Sequence, residues 1–152
     1  MPKFLRTIRL DDSDTRVFDD AAAAGEWAVS GAFAFAAMER EDLAGKTGHA
    51  FAGGFLGLTT FGRSTLVAVT EASARDLAQI ERRLAEHLVA RYGAPSLQLA
   101  FPAAGAELAM ILGVAAEAPV DAVLTVKRRF DAKGRIEQRF GRIDLDITAS
   151  PP

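Results

Sequence analysis

The sequence contains no cysteine, and this absence removes several kinds of chemistry at once. Disulfide frameworks, thiolate nucleophiles, iron–sulfur clusters and cysteine-bound zinc all need a residue type that the chain lacks. A metal would have to be held by oxygen ligands or by the two histidines. We therefore predict no metal site and no cofactor.

Histidine is almost as scarce, and only His49 and His87 are available as a general base. His87 adjoins the apolar stripe of a charged helix, where we expect a partly exposed surface residue. His49 lies an even number of residues from Phe51 and Phe55, so on a strand its side chain would lie on the same face as theirs. This favours a packed or hydrogen-bonded role for His49 over a catalytic one. No serine stands in a Gly-x-Ser-x-Gly turn. The sequence lacks a complete catalytic constellation, so we name no catalytic residue and leave enzymatic activity open.

Long hydrophobic runs are missing as well. A membrane-spanning helix needs about 20 consecutive apolar residues, and charged or polar residues interrupt every apolar run in this chain. The segment MPKFLRTIRL alternates charges with apolar residues and lacks the apolar centre of a signal peptide. We expect a cytoplasmic protein that binds no membrane.

The composition is otherwise that of a soluble globular protein. Of the 152 residues, 49% are apolar and 25% are charged, close to the averages for such proteins. This length suits one domain, and no linker or repeat divides it. We predict a single domain over residues 1–148 and a loose tail over residues 149–152.

Charge is distributed unevenly along the chain, although the formal net charge is only −2. Residues 11–42 contain nine acidic residues and two arginines, whereas residues 127–142 contain seven basic and two acidic residues. The basic segment could neutralise phosphates and stack bases on its phenylalanines. However, its charges fall on both faces of a ribbon and the whole chain is acidic. We favour pairing of this segment with the acidic segment of the same chain or of a second copy, and do not expect nucleic acid.

The two-residue spacing of apolar side chains predicts strands over residues 3–10 and 26–37, with a short strand at 16–18. In the second strand, one face would carry small residues: Ala28, Ser30, Ala32, Ala34 and Ala36. A helix or sheet could pack on it, or it could form a shallow ligand or subunit contact. Residues 45–62 are rich in glycine and keep aromatic residues two apart, which indicates a bent strand. Residues 64–70 form the next predicted strand.

Two helices and a hairpin complete the predicted elements. Ser73 and Asp76 have the spacing of a capping box, and Gly93 with Pro95 ends that helix. A second helix is predicted from Pro102 to about residue 117. Residues 126–143 form a hairpin that turns at 131–134. The fold class is α+β, with an antiparallel sheet of about six or seven strands and two helices packed on one face.

Two short motifs suggest ligand sites, but their context does not support them. The sequence Gly45-Lys46-Thr47 resembles the end of a phosphate-binding loop, yet Arg40 occupies the position of the required earlier glycine. The residues that follow are also predicted to be strand rather than helix. Asp12 and Asp14 begin like a calcium loop, but the later glycine and glutamate are absent, so a solvated turn is favoured.

Four segments resemble a family of small uncharacterised bacterial proteins with no assigned function. They are KFLRTIRLD at 3–11, GEWAVSG at 25–31, AFAGGFLG at 50–57 and RYGAP at 91–95. The resemblance extends over nearly the whole chain and implies a bacterial cytoplasmic protein. Since the family has no established activity, it assigns no role to individual residues.

Two functions are compatible with these patterns. We favour a non-enzymatic accessory or protein-interaction domain that forms a homo-oligomer, because small-residue surface is abundant and a catalytic constellation is lacking. The alternative is a small-molecule-binding protein or an unrecognised enzyme with an aromatic, glycine-rich pocket around residues 45–62. Its predicted lining is Trp27, Phe33, His49, Phe51, Gly53, Gly54 and Phe55, with Arg63 or Arg128 holding an anionic group.

Overall fold

The computed structural model describes residues 1–143, and within this range seven strands form one antiparallel sheet. The strands are β1 (Lys3–Ile8), β2 (Trp27–Val29), β3 (Phe55–Gly57), β4 (Arg63–Ser64), β5 (Leu66–Glu71), β6 (Val123–Phe130) and β7 (Ile136–Ile143). Their order across the sheet is β4-β3-β2-β1-β5-β6-β7. The predicted α+β class and antiparallel sheet are confirmed. The predicted tail at 149–152 lies outside the described residues.

The first strand of the chain lies at the centre of the sheet. β1 pairs with β5 over six residue pairs, from Lys3 opposite Glu71 to Ile8 opposite Leu66, and with β2 on its other side. Phe4 and Leu5 are both fully buried, so side chains on both faces of β1 are covered. Strands covered on two faces contribute most to a core because each residue removes apolar surface from water.

Four α-helices and two short 3-10 helices connect these strands. The α-helices are α1 (Ser13–Val17), α2 (Gly45–Gly53), α3 (Ala74–Arg91) and α4 (Leu97–Ala116), and the 3-10 helices span Ala32–Phe35 and Arg40–Asp42. α3 and α4 pack against each other, and α4 also contacts β1 and β2. Their buried side chains join those of the sheet in one core, which includes Val29, Val67, Val69, Ile80, Leu84, Leu108, Ile111 and Val126.

The predicted helix beginning after Ser73 is confirmed, including its cap. The Asp76 amide donates to the Ser73 hydroxyl oxygen over 3.0 Å, and the Ser73 amide donates to the Asp76 carboxylate over 2.9 Å. These two bonds satisfy amides that have no partner within the helix. Gly93 follows the helix with φ +76°, the left-handed conformation that commonly ends a helix.

The predicted start of the second helix at Pro102 is wrong. α4 begins at Leu97, where the Ser96 hydroxyl accepts a hydrogen bond from the Leu99 amide, and Pro102 lies inside the helix. The serine cap outweighs the preference of proline for a first turn. By length and composition alone, α4 could cross a membrane. An 18-residue stretch of this helix has a mean hydropathy of 1.8, and 28% of that stretch is buried. Its buried face packs on the core of this domain.

Three predicted strands are corrected by the structure. Residues 26–37 form a strand only at Trp27–Val29, because Gly31 adopts φ +76° and the chain enters a 3-10 helix. The small-residue strand face predicted over residues 28–36 therefore does not exist. Residues 16–18 lie at the end of α1 rather than in a strand. Residues 45–53 form α2, and the strand resumes only at Phe55.

The hairpin at the end of the described chain is confirmed. β6 and β7 pair over eight positions, from Val123 opposite Ile143 to Phe130 opposite Ile136. Gly134 has φ +77° in the turn, where a residue without a Cβ atom is unstrained. β5 pairs with β6 only near Leu124, so the far half of β6 lies against α2 instead.

Candidate functional site: a buried arginine pair and the open edge of the sheet

The end of α2 is held by two buried arginines from different strands. Arg128 of β6 is 5% exposed, and its Nη1 donates to the carbonyl oxygens of Phe51 at 3.0 Å and Gly54 at 2.9 Å. Arg63 of β4 is 9% exposed, and its Nη1 also donates to the Gly54 carbonyl, over 3.1 Å. The carbonyls that end a helix carry a partial negative charge, which a cation stabilises. The arginine pair therefore satisfies the end of α2 and fixes it to the sheet.

The same arginines hold the turn that follows β2. Arg63 Nη2 donates to the Gly31 carbonyl over 3.2 Å, and Arg128 Nη2 donates to the carbonyl and hydroxyl oxygens of Ser30. Arg128 Nε donates to Gln138 Oε1 over 3.2 Å. One guanidinium thus connects β2, α2 and β7, using the planar set of donors that lysine does not have.

The charge of this cluster is positive. Burial lowers the pKa of Arg128 to about 9 and that of Arg63 to about 10, so both remain protonated at neutral pH. Burial also raises the pKa of Glu107, which accepts a hydrogen bond from the Gly31 amide over 3.0 Å. Between described residues, no carboxylate forms an ion pair with either arginine within 4.0 Å. Backbone carbonyl oxygens, rather than a carboxylate, accept the hydrogen bonds of the two guanidinium groups. Both arginines therefore have a structural role.

An aromatic stack lies beneath the arginines. The Phe35 ring is 4.8 Å from Arg63 Cζ and 5.8 Å from Arg128 Cζ, within the range of cation–π attraction. Phe51 meets Phe35 edge to face at 5.4 Å and stacks on Phe130 at 4.9 Å. The rings close this end of the domain around α2.

The structure brings some of the predicted pocket residues together and separates others. Phe51, Gly54, Arg63 and Arg128 meet at the arginine pair, as described above. Exposed His49 and half-buried Gly53 line an open cavity of about 550 Å³, together with Arg128. The predicted pocket around residues 45–62 stays a prediction, with this cavity as one place where it could lie.

The remaining predicted residues lie elsewhere. Trp27 packs against Phe4 and under Arg6, whose Cζ is 3.7 Å from the ring centre. Phe33 meets Tyr92 edge to face at 5.2 Å. Phe55 is fully buried in the core, 6.2 Å from Phe140. These three rings do not share one pocket.

The sequence did not reveal the residues that surround the arginine pair, namely Ser30, Gly31, Phe35, Glu107 and Gln138. Gly31 was a usable signal, because a glycine within a predicted strand often marks a bend. The others belong to separate elements that the fold alone brings together. Their contacts follow from the position of α2, which the sequence pattern did not reveal.

A second cleft lies between α2 and α3, and we call it the α2–α3 cleft. It has a volume of about 430 Å³, and its lining includes Lys46, Phe61, Arg63, His87, Arg91 and Tyr92. His87 stacks on Phe61 with centroids 3.9 Å apart, and burial, with Arg91 and Arg63 nearby, lowers the pKa of His87. The imidazole is therefore neutral at neutral pH. Asp19 and Asp20 also line the cleft, so its charges are mixed.

The sequence Gly45-Lys46-Thr47 forms the first turn of α2, so the prediction that a strand follows it is wrong. α2 itself follows the 3-10 helix Arg40–Asp42 and not a strand. A phosphate-binding loop requires a strand, a loop and a helix in that order. Within residues 1–143, no three His, Asp or Glu side chains come together as metal ligands.

The outward face of the β6–β7 hairpin is basic, and its edge is open. Lys127 lies directly opposite Arg139, and Arg129 lies opposite Glu137, with a 2.7 Å ion pair between the last two. Among residues 1–143, the ion pairs within 4.0 Å are local, and none joins the hairpin to the acidic segment at 11–42. β7 is the last strand in the sheet order, with β6 on one side.

Comparisons with known proteins identify a family but no activity. A family model described as a family of unknown function (DUF6505) matches residues 1–148. No curated protein and no solved structure matches the chain. The predicted resemblance to a family without an assigned function is confirmed.

Proposed function

The chain belongs to the family of unknown function DUF6505, and because this membership carries no activity, we propose its role from the geometry. The role is that of a non-enzymatic protein-interaction domain that works as a homo-oligomer. The observation that carries the proposal is the open edge of β7.

This edge is long and regular. β7 extends over the eight residues Ile136–Ile143 and pairs with β6 along its whole length. Its other side has no neighbouring strand among residues 1–143. Unpaired amides and carbonyls of an edge strand are a template for another strand, and proteins use such edges to bind partners. An edge of this length supports association by strand pairing.

The exposed face of α4 gives independent support. Apart from Gln98, its exposed residues are apolar and mostly small: Leu99, Pro102, Ala103, Ala106, Ala109, Gly113 and Ala116. Leu99 is 64% exposed. Helices that are apolar on all sides are usually buried, and contiguous exposed apolar surface marks interaction sites. The molecule thus has a second surface suited to protein contact.

The mass of the purified protein in solution tests this proposal. Light scattering after size-exclusion chromatography, or sedimentation, should give a monomer at low concentration and a dimer or larger assembly as concentration rises. High salt should shift the equilibrium towards monomer, because charged groups flank the edge and ions screen them. A monomer at every concentration, at both low and high salt, would contradict the proposal.

The α2–α3 cleft favours a second candidate function, the binding of a small molecule. Its volume lies within the usual range for ligand pockets, and Phe61, His87 and Tyr92 supply aromatic walls. Lys46 and Arg91 supply cations for an anionic group, and Arg63 lies among them. Several residues of the segment 45–62 line this cleft, and Arg63 is the member of the predicted pocket set that lies there.

A thermal-shift screen tests the second candidate. The screen would use inorganic phosphate, simple carboxylates and aromatic carboxylates, since a bound ligand raises the melting midpoint. Arg91→Ala should abolish any shift, whereas Arg75→Ala, at the other end of α3, should retain it. Equal shifts in both variants, or no shift with any compound, would count against ligand binding in this cleft.

A further inference from the structure

The open edge of β7 has a defined pattern of backbone donors and acceptors. The Asp131 amide donates to the Arg135 carbonyl over 2.8 Å, so odd-numbered residues of this strand direct their backbone groups towards β6. Ile136, Gln138 and Phe140 therefore direct theirs away from β6. A strand that adds to this edge would pair with these residues.

The outward side chains of β7 carry opposite charges two positions apart. Glu137 and Arg139 have the same parity and lie on the outer face of the hairpin, where both are exposed. When two copies of one strand pair antiparallel about a two-fold axis, residues equally far from the axis lie opposite each other. The position of the axis then decides which charges meet.

Three registers bring these charges to the centre of the interface. An axis at Glu137 places two glutamates opposite each other, and an axis at Arg139 places two arginines opposite each other. An axis at Gln138 places Glu137 of each copy opposite Arg139 of the other. Like charges directly opposite destabilise a strand pair, and unlike charges stabilise it. The charges therefore select the axis at Gln138.

We propose that β7 pairs antiparallel with β7 of a second copy, with the two-fold axis at Gln138. The proposal rests on the homo-oligomer proposed above and adds its interface and register. Gln138 forms the central hydrogen-bonded pair, and Ile136 pairs with Phe140 on either side of it. These are the residues whose backbone groups face outward, so the register matches the hydrogen-bonding pattern of the edge.

Arg139 supplies a separate reason for this register. Within one copy it lies directly opposite Lys127, a like-charged pair. None of the carboxylates in residues 1–143 forms an ion pair with it within 4.0 Å. In the dimer, Glu137 of the second copy lies on the free side of Arg139. Arg129 uses Oε2 of Glu137, which leaves Oε1 to accept from the arginine of the other copy.

The inner face of the same strand is also self-complementary. Ile136 and Phe140 are half-buried and face the same side of the sheet. In the Gln138 register each Ile136 meets a Phe140 across the interface, and apolar pairs of this type stabilise adjacent strands. Both faces therefore favour the same axis.

Disulfide cross-linking tests the register directly, because the chain has no cysteine of its own. Two single variants, Glu137→Cys and Arg139→Cys, would be oxidised separately and as an equal mixture. Residues opposite each other in a pair without hydrogen bonds have Cα atoms about 4.5 Å apart, within the span of a disulfide. The proposal expects a covalent dimer in the mixture and little in either variant alone. The mixed dimer keeps one Glu137–Arg139 pair intact, so the substitutions do not remove all of the complementarity.

Each other outcome overturns the register or the interface. A covalent dimer of Glu137→Cys alone would place the axis at Glu137, and one of Arg139→Cys alone would place it at Arg139. If the wild-type protein is a dimer but no combination cross-links, β7 is not the interface, although the homo-oligomer stands. If the wild-type protein is a monomer throughout, the homo-oligomer fails as well. A mixture of Glu86→Cys and Arg139→Cys, with one thiol on α3, is the matched control and should not cross-link.

Charge exchange provides a second measurement that needs no oxidation. Glu137→Arg and Arg139→Glu should each weaken the dimer by about tenfold, since two favourable pairs become two repulsive ones. The double variant restores opposite charges with their positions exchanged, and its dissociation constant should return to near the wild-type value. A double variant as weak as the single variants would overturn the assigned register.

Discussion

A few buried polar side chains connect several elements of this domain. Arg128 joins β2, α2 and β7 through hydrogen bonds from all three of its nitrogens. Glu26 joins the segment before β2 to the loop after β3, with its two oxygens accepting hydrogen bonds from Ala23, Thr59 and Thr60. Burying either charged group without hydrogen-bond partners would cost free energy. The elements that carry these partners are therefore held together in the folded domain.

Arg128→Met should therefore destabilise the domain strongly. The side chain keeps its apolar length, but carbonyls at the end of α2 lose their donor, and we expect a loss of about 3 kcal/mol. Arg82→Met is the control, because the ion pair of Arg82 with Glu86 at 3.5 Å is exposed and its loss should cost less than about 1 kcal/mol. Urea denaturation of both variants measures the difference. Equal stabilities would show that Arg128 does not hold α2.

The ionisation of Glu26 makes the stability of the domain depend on pH, in a direction that its pKa defines. Burial raises its pKa, but hydrogen bonds from Thr60, Thr59 and Ala23 outweigh burial, so the pKa lies below 4.5, the ordinary value for a glutamate. A carboxyl whose folded pKa is lowered stabilises the fold above its unfolded pKa, and this contribution disappears as pH falls through the folded pKa. Glu26→Gln should cost about 2 kcal/mol at neutral pH.

The cost should shrink as the pH falls from about 4.5, the ordinary pKa of a glutamate, through the lower pKa of Glu26 in the folded protein, because the wild-type carboxyl then also becomes neutral. Denaturation of wild type and variant across this pH range is the measurement. Glu86→Gln, on the exposed surface of α3, should show a small difference at every pH. A cost for Glu26→Gln that does not change with pH would show that ionised Glu26 is not the stabilising form.

At the scale of elements, the sequence predicted those whose signals are local. Ser73 and Asp76 mark the start of α3 within four residues, and the hairpin turn carries its own glycine. α2 has no such signal, since its glycines disfavour a helix and its end depends on Arg63 and Arg128 from distant strands. The arginine pair could not be predicted because it requires α2 to be in place. Arg63 and Arg128 were identified as candidates by charge, but their partners were not.

The turn after β2 shows how one residue decides an element boundary. Gly31 has φ +76°, and a Cβ atom there would lie 2.6 Å from Leu56 Cβ and 2.7 Å from Arg63 Nη1. Gly25 has a similar φ of +86°, but nothing lies within 4 Å of its hypothetical Cβ atom. The two glycines thus share a left-handed backbone conformation, which would strain any residue with a side chain, and differ in packing.

Gly25→Ala should cost about 1–2 kcal/mol, the strain of a left-handed backbone with a side chain. Gly31→Ala should cost about 2 kcal/mol more, because its methyl group also overlaps the core and the arginine pair. Thermal denaturation of the two variants measures the difference. Similar melting midpoints would show that the region around Gly31 relaxes without cost.

At the scale of the whole molecule, the sheet joins parts of the chain that are far apart in sequence. β1 lies at its centre and β7 at its open edge, and among residues 1–143 no ion pair within 4.0 Å joins the acidic segment 11–42 to the basic segment 127–142. The long edge of β7 lies apart from the buried core, so the proposed interface is separate from the part that keeps the domain folded. Changes to Glu137 and Arg139 should therefore alter association without large effects on stability.

The central position of β1 also determines how long this strand lacks a partner while the chain is being synthesised. Its longest partner, β5, ends at Glu71, so the side of β1 that pairs with β5 stays unpaired while the intervening residues are made. At about 5–20 residues per second, this interval lasts roughly 3–14 seconds on the ribosome. Chains arrested before Leu66 emerges should be cut by protease within residues 3–8, and chains arrested after α4 emerges should resist. Early protection would show that β1 finds another partner first. Otherwise, for those seconds, the nascent chain displays the central strand of its future sheet to chaperones and to neighbouring chains.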